Sequence, residues 1–234
     1  MRDINEILND IEEVNTNDKY DYNQKLEKLD RLGKELEEYE KTEINPVIKE
    51  INEKELNAII IKYKNNEYLT KKEIKKILDA SLNYTWNTFK ELGIELKRTS
   101  LNGMCELAQE LSIEPLAQLG IEVTKNNAQK CFGSSLTHYF ATATFKIKEN
   151  ETITYIIDPT YIQFYKNSPN KEFDKELIEN GYIELTKENL KKYIQVFKSN
   201  PENIELYLEK IKSEKDAEQN VINNNYTNKT TKSK

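Results

Sequence analysis

Two cysteines, Cys105 and Cys131, and a single histidine, His138, are the residues of this 234-residue chain best suited to nucleophilic chemistry. A thiol attacks a carbonyl usefully as the thiolate, a form favoured at a helix N-terminus, where unpaired N–H groups point outward, and beside an imidazolium. The run Gly103-Met104-Cys105 supplies such a position, with a small residue just ahead of the nucleophile where a substrate backbone must approach. The Cys105 backbone N–H then points to where an oxyanion would develop, and Asn102 and Thr99 are candidate side-chain donors to the same site. If Cys105 uses an imidazole of its own chain, that imidazole is His138. Cys131 sits in a Gly- and Ser-containing stretch and reads as an incidental thiol. One histidine and two separated cysteines offer no zinc-ligand spacing, so neither a metal nor a cofactor is expected.

The imidazole in turn needs an orienting acceptor. Residues 136–147 and 153–157 are rich in Thr, Ile, Tyr and Phe with partial alternation, and the polar Lys148–Glu151 between them predicts an antiparallel hairpin. His138 lies near the start of the first strand and Asp158 at the end of the second, so the hairpin brings both to one end of the sheet. A turn centred at Lys148 would set them directly opposite, about 5 Å apart at Cβ. A turn at Glu149-Asn150 offsets them by some three residues, which a bulge or strand twist can absorb. Asp158 would then accept from one ring nitrogen while the other faces Cys105.

These residues resemble the transglutaminase-like core of the papain-like superfamily. The resemblance covers roughly Ser100 to Phe164. It rests on Gly103-Met104-Cys105-Glu106-Leu107-Ala108 opening a helix, Gln118-Leu119-Gly120-Ile121 after it, His138 leading a strand, and Tyr155-Ile156-Ile157-Asp158-Pro159-Thr160-Tyr161 closing the next. It implies Cys105 as nucleophile, His138 as its base and Asp158 as the orienting partner, in the family's Cys, His, Asp order. Two positions that often carry an aromatic residue and a tryptophan in that family are Glu106 and Phe140 here. The resemblance implies a thiol-dependent acyl transfer on peptide or protein amides, by a cysteine protease or a glutamine deamidase or transglutaminase, and it is nearest to effector-like members.

The elements that must position these groups are expected to be an N-terminal helical region, 1–98, and a core, 99–212, with C-terminal helices. In the first, Ile4, Ile7, Leu8, Ile11 and Val14 recur at helical steps. Leu26, Leu29, Leu32, Leu36 and Tyr39 form a second stripe, a short coiled-coil seam or one arm of a helical hairpin. Pro46 interrupts the pattern. Thr70 and Glu73 form a capping box that starts a helix carrying Ile74, Ile77, Leu78 and Leu82 inward. The segment Asn102–Gly120 reads as helix, with Pro115 predicting a kink or a break into two. Asp158-Pro159 ends the second strand, since proline cannot donate to a ladder. Thr186 to Lys198 and Pro201 to Lys212 read as helices. The tail, 213–234, has too little apolar content to fold and is expected to be disordered. Trp86 and Tyr161 are candidates to line a substrate cleft. The fold class is therefore α+β, with the Cys105 helix packed on a small antiparallel sheet.

Charged residues make up 32% of the chain and the formal net charge is −6, with Lys interleaved among Glu and Asp rather than clustered. That pattern excludes the single-sign footprint of a nucleic-acid binder and favours a protein or peptide substrate. The first twenty residues contain no apolar signal core, and no stretch approaches the roughly 18 apolar residues of a membrane span. A soluble protein with reduced thiols is expected, cytoplasmic or exported without a Sec-type signal. Two readings compete with the enzyme: an inactive fold that binds a partner through its N-terminal helices, and a helical scaffold whose thiol is incidental.

Overall fold

Ile7 and Val14 of α1 (Ile4–Thr16) meet Leu32 of α2 (Tyr22–Glu40) in a small cluster of their own, with Ile11, Leu29 and Leu36 packed around it. The computed structural model describes residues 4–40, 44–167, 170–197, 199, 203–209 and 211. The two predicted stripes thus form the two arms of one hairpin. Leu8 and Leu26, assigned to the same seams from their spacing, are exposed instead, because two helices alone bury a narrower stripe than a multi-helix core does. The side chains of Ile4 and Tyr39 lie outside the described residues.

Beyond Pro46 the chain runs irregularly to Asn52, whose side chain caps α3 (Glu53–Lys64) by accepting from the Glu55 N–H. This connecting stretch is clamped to α4 (Lys71–Glu91) by Asn83, which accepts from the Lys49 N–H at 2.9 Å and donates to the Lys49 carbonyl at 2.7 Å. The capping box of α4 forms as expected, with Thr70 N–H donating to Glu73 at 2.7 Å and Glu73 N–H to the Thr70 hydroxyl at 3.3 Å. Ile74, Ile77, Leu78 and Leu82 are buried, and Trp86 and Phe89 continue the stripe.

After α5 (Arg98–Leu101), Gly103 adopts φ +79°, a left-handed conformation that suits glycine and stops helical propagation. The next helix, α6 (Cys105–Gln118), therefore starts at Cys105, three residues later than the helix predicted from Asn102. Pro115 lies inside α6 and does not split it. It sits in the last turn, where the hydrogen bond it forfeits has little helix left to support.

The sheet comprises β1 (Glu122–Asn127), β2 (Tyr139–Lys148), β3 (Glu151–Ile157) and β4 (Tyr182–Glu184), antiparallel throughout in the order β1-β2-β3-β4. The short α7 (Ala128–Phe132) separates β1 from β2. A 3-10 helix (Tyr161–Asn167) and α8 (Lys171–Asn180) connect β3 to β4. The predicted hairpin is present as β2 and β3. The polar β1, the short β4 and α8 were not predicted; β1 and β4 carry no strong local alternation, whereas α8 does carry a stripe, Phe173, Leu177 and Ile178, on one buried face. Thr186 caps α9 (Lys187–Gln195) through the Asn189 N–H as expected, and 203–209 form α10. Pro201 and the tail beyond residue 211 lie outside the described residues.

One face of the sheet turns toward α4: Tyr182, opposite Ile157, donates its hydroxyl to Asp79 at 2.9 Å. At the other face Phe140 meets the rings of Tyr193 on α9 and Tyr207 on α10. α6 packs against α4, β1 and β2. The core that includes the sheet runs back through α3 and α4, from Ile59 to Tyr207, so it begins well before residue 99. No helix among the described residues is long and apolar enough to cross a membrane. The molecule is thus α+β, as expected.

Among the described glycines, Gly181 leaves the least room for a side chain. Its φ is +74°, and a Cβ there would lie 2.7 Å from Leu82 Cδ1 and 2.9 Å from Trp86 Cζ2. Gly181→Ala is expected to cost roughly 2–5 kcal/mol of folding free energy, through left-handed strain plus overpacking. A urea-denaturation midpoint unchanged from wild type would contradict this.

Candidate active site

The backbone positions the three candidate groups before any side-chain contact is considered. Cys105 is the first residue of α6, so its N–H has no partner within the helix. His138 extends the pairing of β2 with β1 by one residue, its carbonyl accepting from the Ala128 N–H at 2.8 Å. Asp158 likewise extends β3 against β4, its N–H donating to the Gly181 carbonyl at 2.8 Å.

The register decides whether the two side chains can meet. The turn is at Glu149-Asn150, with Lys148 opposite Glu151. Propagated unchanged, that pairing would put Asp158 opposite Ala141, on the other face from His138, because side chains alternate along a strand. An irregularity between Lys146 and Lys148 shifts the register, so that Ala141 faces Ile157 and Asp158 falls opposite Phe140. His138 and Phe140 share a face, and His138 Nε2 lies 2.7 Å from Asp158 Oδ2.

Asp158 is a saturated acceptor. Its Oδ2 also accepts from the Tyr193 hydroxyl at 2.8 Å, and its Oδ1 accepts from the Thr160 N–H and hydroxyl, each at 3.2 Å. His138 is 1% exposed, stacked on Phe197 at 5.3 Å between centroids and edge-on to Phe164 at 4.8 Å. Burial alone would lower the affinity of its ring for a proton. The Asp158 charge and hydrogen bond, with a smaller contribution from Cys105, outweigh it and raise the pKa to about 9. With Nε2 committed to Asp158, Nδ1 is the nitrogen left for the thiol. Burial pushes the Cys105 thiol up, but hydrogen bonds from His138 and from the Tyr139 backbone N–H, with the imidazole charge, bring it below the ordinary thiol value. Cys105 is largely buried, with 9% of its surface exposed.

One turn along α6, the buried Gln109 donates its amide to the carbonyls of Asn126, at 2.8 Å, and Phe140. This ties the Cys105 helix to the two strands that lead into His138. Such an arrangement can hold a thiolate beside a cationic imidazole whose orientation is set by a buried carboxylate, the requirement for a thiol nucleophile with a built-in proton carrier.

Cys105, His138 and Asp158 are brought together, and the other expectations fare differently. Asn102 is exposed in the turn leading to Cys105, and Thr99 is half-buried in α5. Trp86 and Tyr161 do not line a cleft: both are fully buried. Trp86 packs toward Gly181, while Tyr161 lies among the rings of Phe164, Phe173 and Tyr193 and donates its hydroxyl to Asp174 at 2.9 Å, so both large aromatics fill core volume. Cys131 stands apart, its sulfur 3.7 Å from Asn126 Oδ1. Residues that sequence reasoning missed include Gln109, Gln163 and Tyr193. Of the side chains on Asp158, only Thr160 carried a local signal, as an acceptor-seeking residue two after an aspartate.

Tyr193→Phe removes one donor to a buried carboxylate and is expected to cost about 1.5–3 kcal/mol of stability. With a competing donor gone, Asp158 should hold the imidazolium more strongly, so the His138 titration moves upward. An NMR titration of this single histidine reads the shift, and a downward movement would contradict the assignment of Tyr193 as a competitor for Oδ2. No family model matches the chain, and neither the curated proteins nor the solved structures provide a match.

Proposed function

We propose that this protein is a thiol-dependent acyl-transfer enzyme with Cys105, His138 and Asp158 as its triad, built on a papain- or transglutaminase-like core. The observation that carries the reading is the buried 2.7 Å contact of His138 Nε2 with Asp158, in a ring whose charge and polarity lower the Cys105 thiol at the start of α6. Neither an isolated buried cysteine nor a histidine packed for structure alone calls for that chain of contacts.

The reaction follows from the proton positions. The Cys105 thiolate attacks an amide carbonyl, and the oxyanion forms against the Cys105 backbone N–H, with Asn102 and Thr99 as the candidate side-chain donors. His138 gives the Nδ1 proton to the leaving amine while Asp158 keeps the ring oriented. The resulting thioester is resolved by water, as in a protease or deamidase, or by an acceptor amine, as in a transglutaminase. The thiol supplies, through His138, the proton that the leaving amine takes, and the attacking water or amine returns one to the imidazole, so the proposal requires no cofactor or metal. The acidic net charge favours a peptide or protein amide over a nucleic acid. The location proposed for this activity is the cytoplasm, or the outside of the producing cell as an effector.

A second reading rests on the N-terminal hairpin. It has its own cluster and leaves Leu8, Tyr22 and Leu26 exposed, which suits a partner-binding module. Alkylation separates the two. Under the enzyme reading Cys105 reacts with iodoacetamide at neutral pH about tenfold or more faster than Cys131, and His138→Ala removes the difference. Equal reactivity of the two thiols in the wild-type protein would sink the enzyme reading.

A further inference from the structure

The Nδ1 atom of His138, the ring nitrogen not held by Asp158, has a hydrogen-bonding neighbour of its own. Gln163, in the 3-10 helix after Asp158, places its Nε2 at 3.2 Å from Nδ1 and 3.1 Å from the Thr160 carbonyl oxygen. A carbonyl only accepts, so the Thr160 oxygen requires the amino group of the Gln163 amide, not its oxygen, at this position. That nitrogen has two hydrogens. One satisfies Thr160, and the other points at Nδ1, which can accept it only while unprotonated.

We propose that Gln163 is a positioning residue that restrains proton transfer from Cys105 to His138, holding part of the resting enzyme in the neutral thiol–imidazole form; this rests on the active-site reading above. In that form Nε2–H donates to Asp158 and Nδ1 accepts from Gln163. When the Cys105 proton moves to Nδ1, the sulfur gains the negative charge, the ring gains the positive charge, and Nε2–H stays on Asp158. The Gln163 N–H then faces an N–H and loses its acceptor. The other groups around the ring do not oppose the transfer in this way. Asp158, from the end of β3, favours the cation, and Cys105, from α6, gains by it. Tyr193, from α9, acts through Asp158, and Phe164 and Phe197 present uncharged rings. The loss of one neutral hydrogen bond corresponds to about a tenfold bias in the transfer equilibrium.

The experiment measures the pH dependence of Cys105 alkylation by iodoacetamide in the full chain, for wild type, Gln163→Met and Gln163→Leu. Both variants remove the N–H, and they differ in shape. The expected result is a thiolate midpoint lower by about one pH unit in both, so alkylation below the midpoint accelerates about tenfold. The 15N spectrum of the single histidine should show a larger doubly protonated fraction at the same pH. A merely structural role for Gln163 would slow alkylation at every pH without moving the midpoint. That result, or a midpoint that rises, or opposite shifts in the two variants, overturns the inference. Failure of the underlying site has its own signature: wild-type Cys105 would then be indifferent to His138→Ala, and the inference would fall with it. If that dependence is present and neither glutamine variant moves the midpoint, the role of Gln163 alone is refuted.

Discussion

If Cys105 is the nucleophile as proposed, replacing it with alanine is expected to reduce amide turnover by at least about 10³-fold while leaving the fold in place, because no neighbour can take over that role. The substitution removes a single sulfur from a site at the edge of the core, so its cost in stability should stay near or below about 1 kcal/mol. Mass spectrometry of treated peptides and proteins is the appropriate readout. Cleavage marks a protease, a gain of about 1 Da marks deamidation, and a cross-link marks transfer to an amine, since all three resolve the same thioester. Cys131→Ala provides the control, because Cys131 is directed to Asn126 rather than to the imidazole. Undiminished turnover by the Cys105→Ala protein, with its fold verified by circular dichroism, would end the enzyme proposal.

Asp158 carries the second large effect, on stability as well as on rate. Its side chain is fully buried and accepts from His138, Tyr193 and Thr160. Asp158→Ala would leave those donors buried without an acceptor, and the expected cost is about 3–5 kcal/mol, the range for breaking a buried charged pair. Asp158→Asn preserves the shape and much of the packing. It removes the charge that keeps His138 cationic, so a fall in turnover of about 10²–10⁴-fold is expected.

The same charge sets the dependence of stability on pH. The pKa of His138 rises from 6.5 to about 9 on folding, so the native state holds this proton more tightly than the unfolded chain. Its stabilising contribution is complete below 6.5 and is lost as pH climbs toward about 9. The Cys105 thiol, lowered in the native state, acts in the opposite sense. Its contribution is present above the unfolded thiol value and lost as pH falls through the folded one. In Asp158→Asn the histidine part of this profile should shrink. Urea midpoints measured across pH 6 to about 10 test this. A wild-type and Asp158→Asn pair with parallel profiles would show that Asp158 does not govern the imidazole.

The helices that were legible in the sequence were those whose hydrogen bonds and apolar stripes close within a few residues. Thr70 with Glu73 and Thr186 with Asn189 are caps of this kind, and α4 buries the side chains its spacing selects. β1 and β4 escaped because their stability comes from neighbours distant in sequence, whereas α8 carries a local stripe of Phe173, Leu177 and Ile178 that its spacing could have announced. Glu122–Asn127 becomes a strand by pairing with β2, and Tyr182–Glu184 by pairing with β3. Pro115 is a different case: of the kink or break that a local rule allows, the packed helix does not make the break.

The sequence by itself determined which groups were available for chemistry: a thiol after Gly103, a single imidazole, and an aspartate closing a strand against Pro159. It also determined that a hairpin would carry the last two toward one end of a sheet. Tertiary structure decided that they meet. The register shift near Lys146 places His138 and Asp158 on one face, and left-handed Gly103 makes Cys105 the first residue of its helix. Tyr193, Phe197 and Gln163 then complete the surroundings from segments with no local mark of that role. The physical reason is one of range. Residue type and short-range hydrogen bonding are written along the chain, whereas strand parity, burial and proton affinity depend on which distant groups the fold brings within a few ångströms.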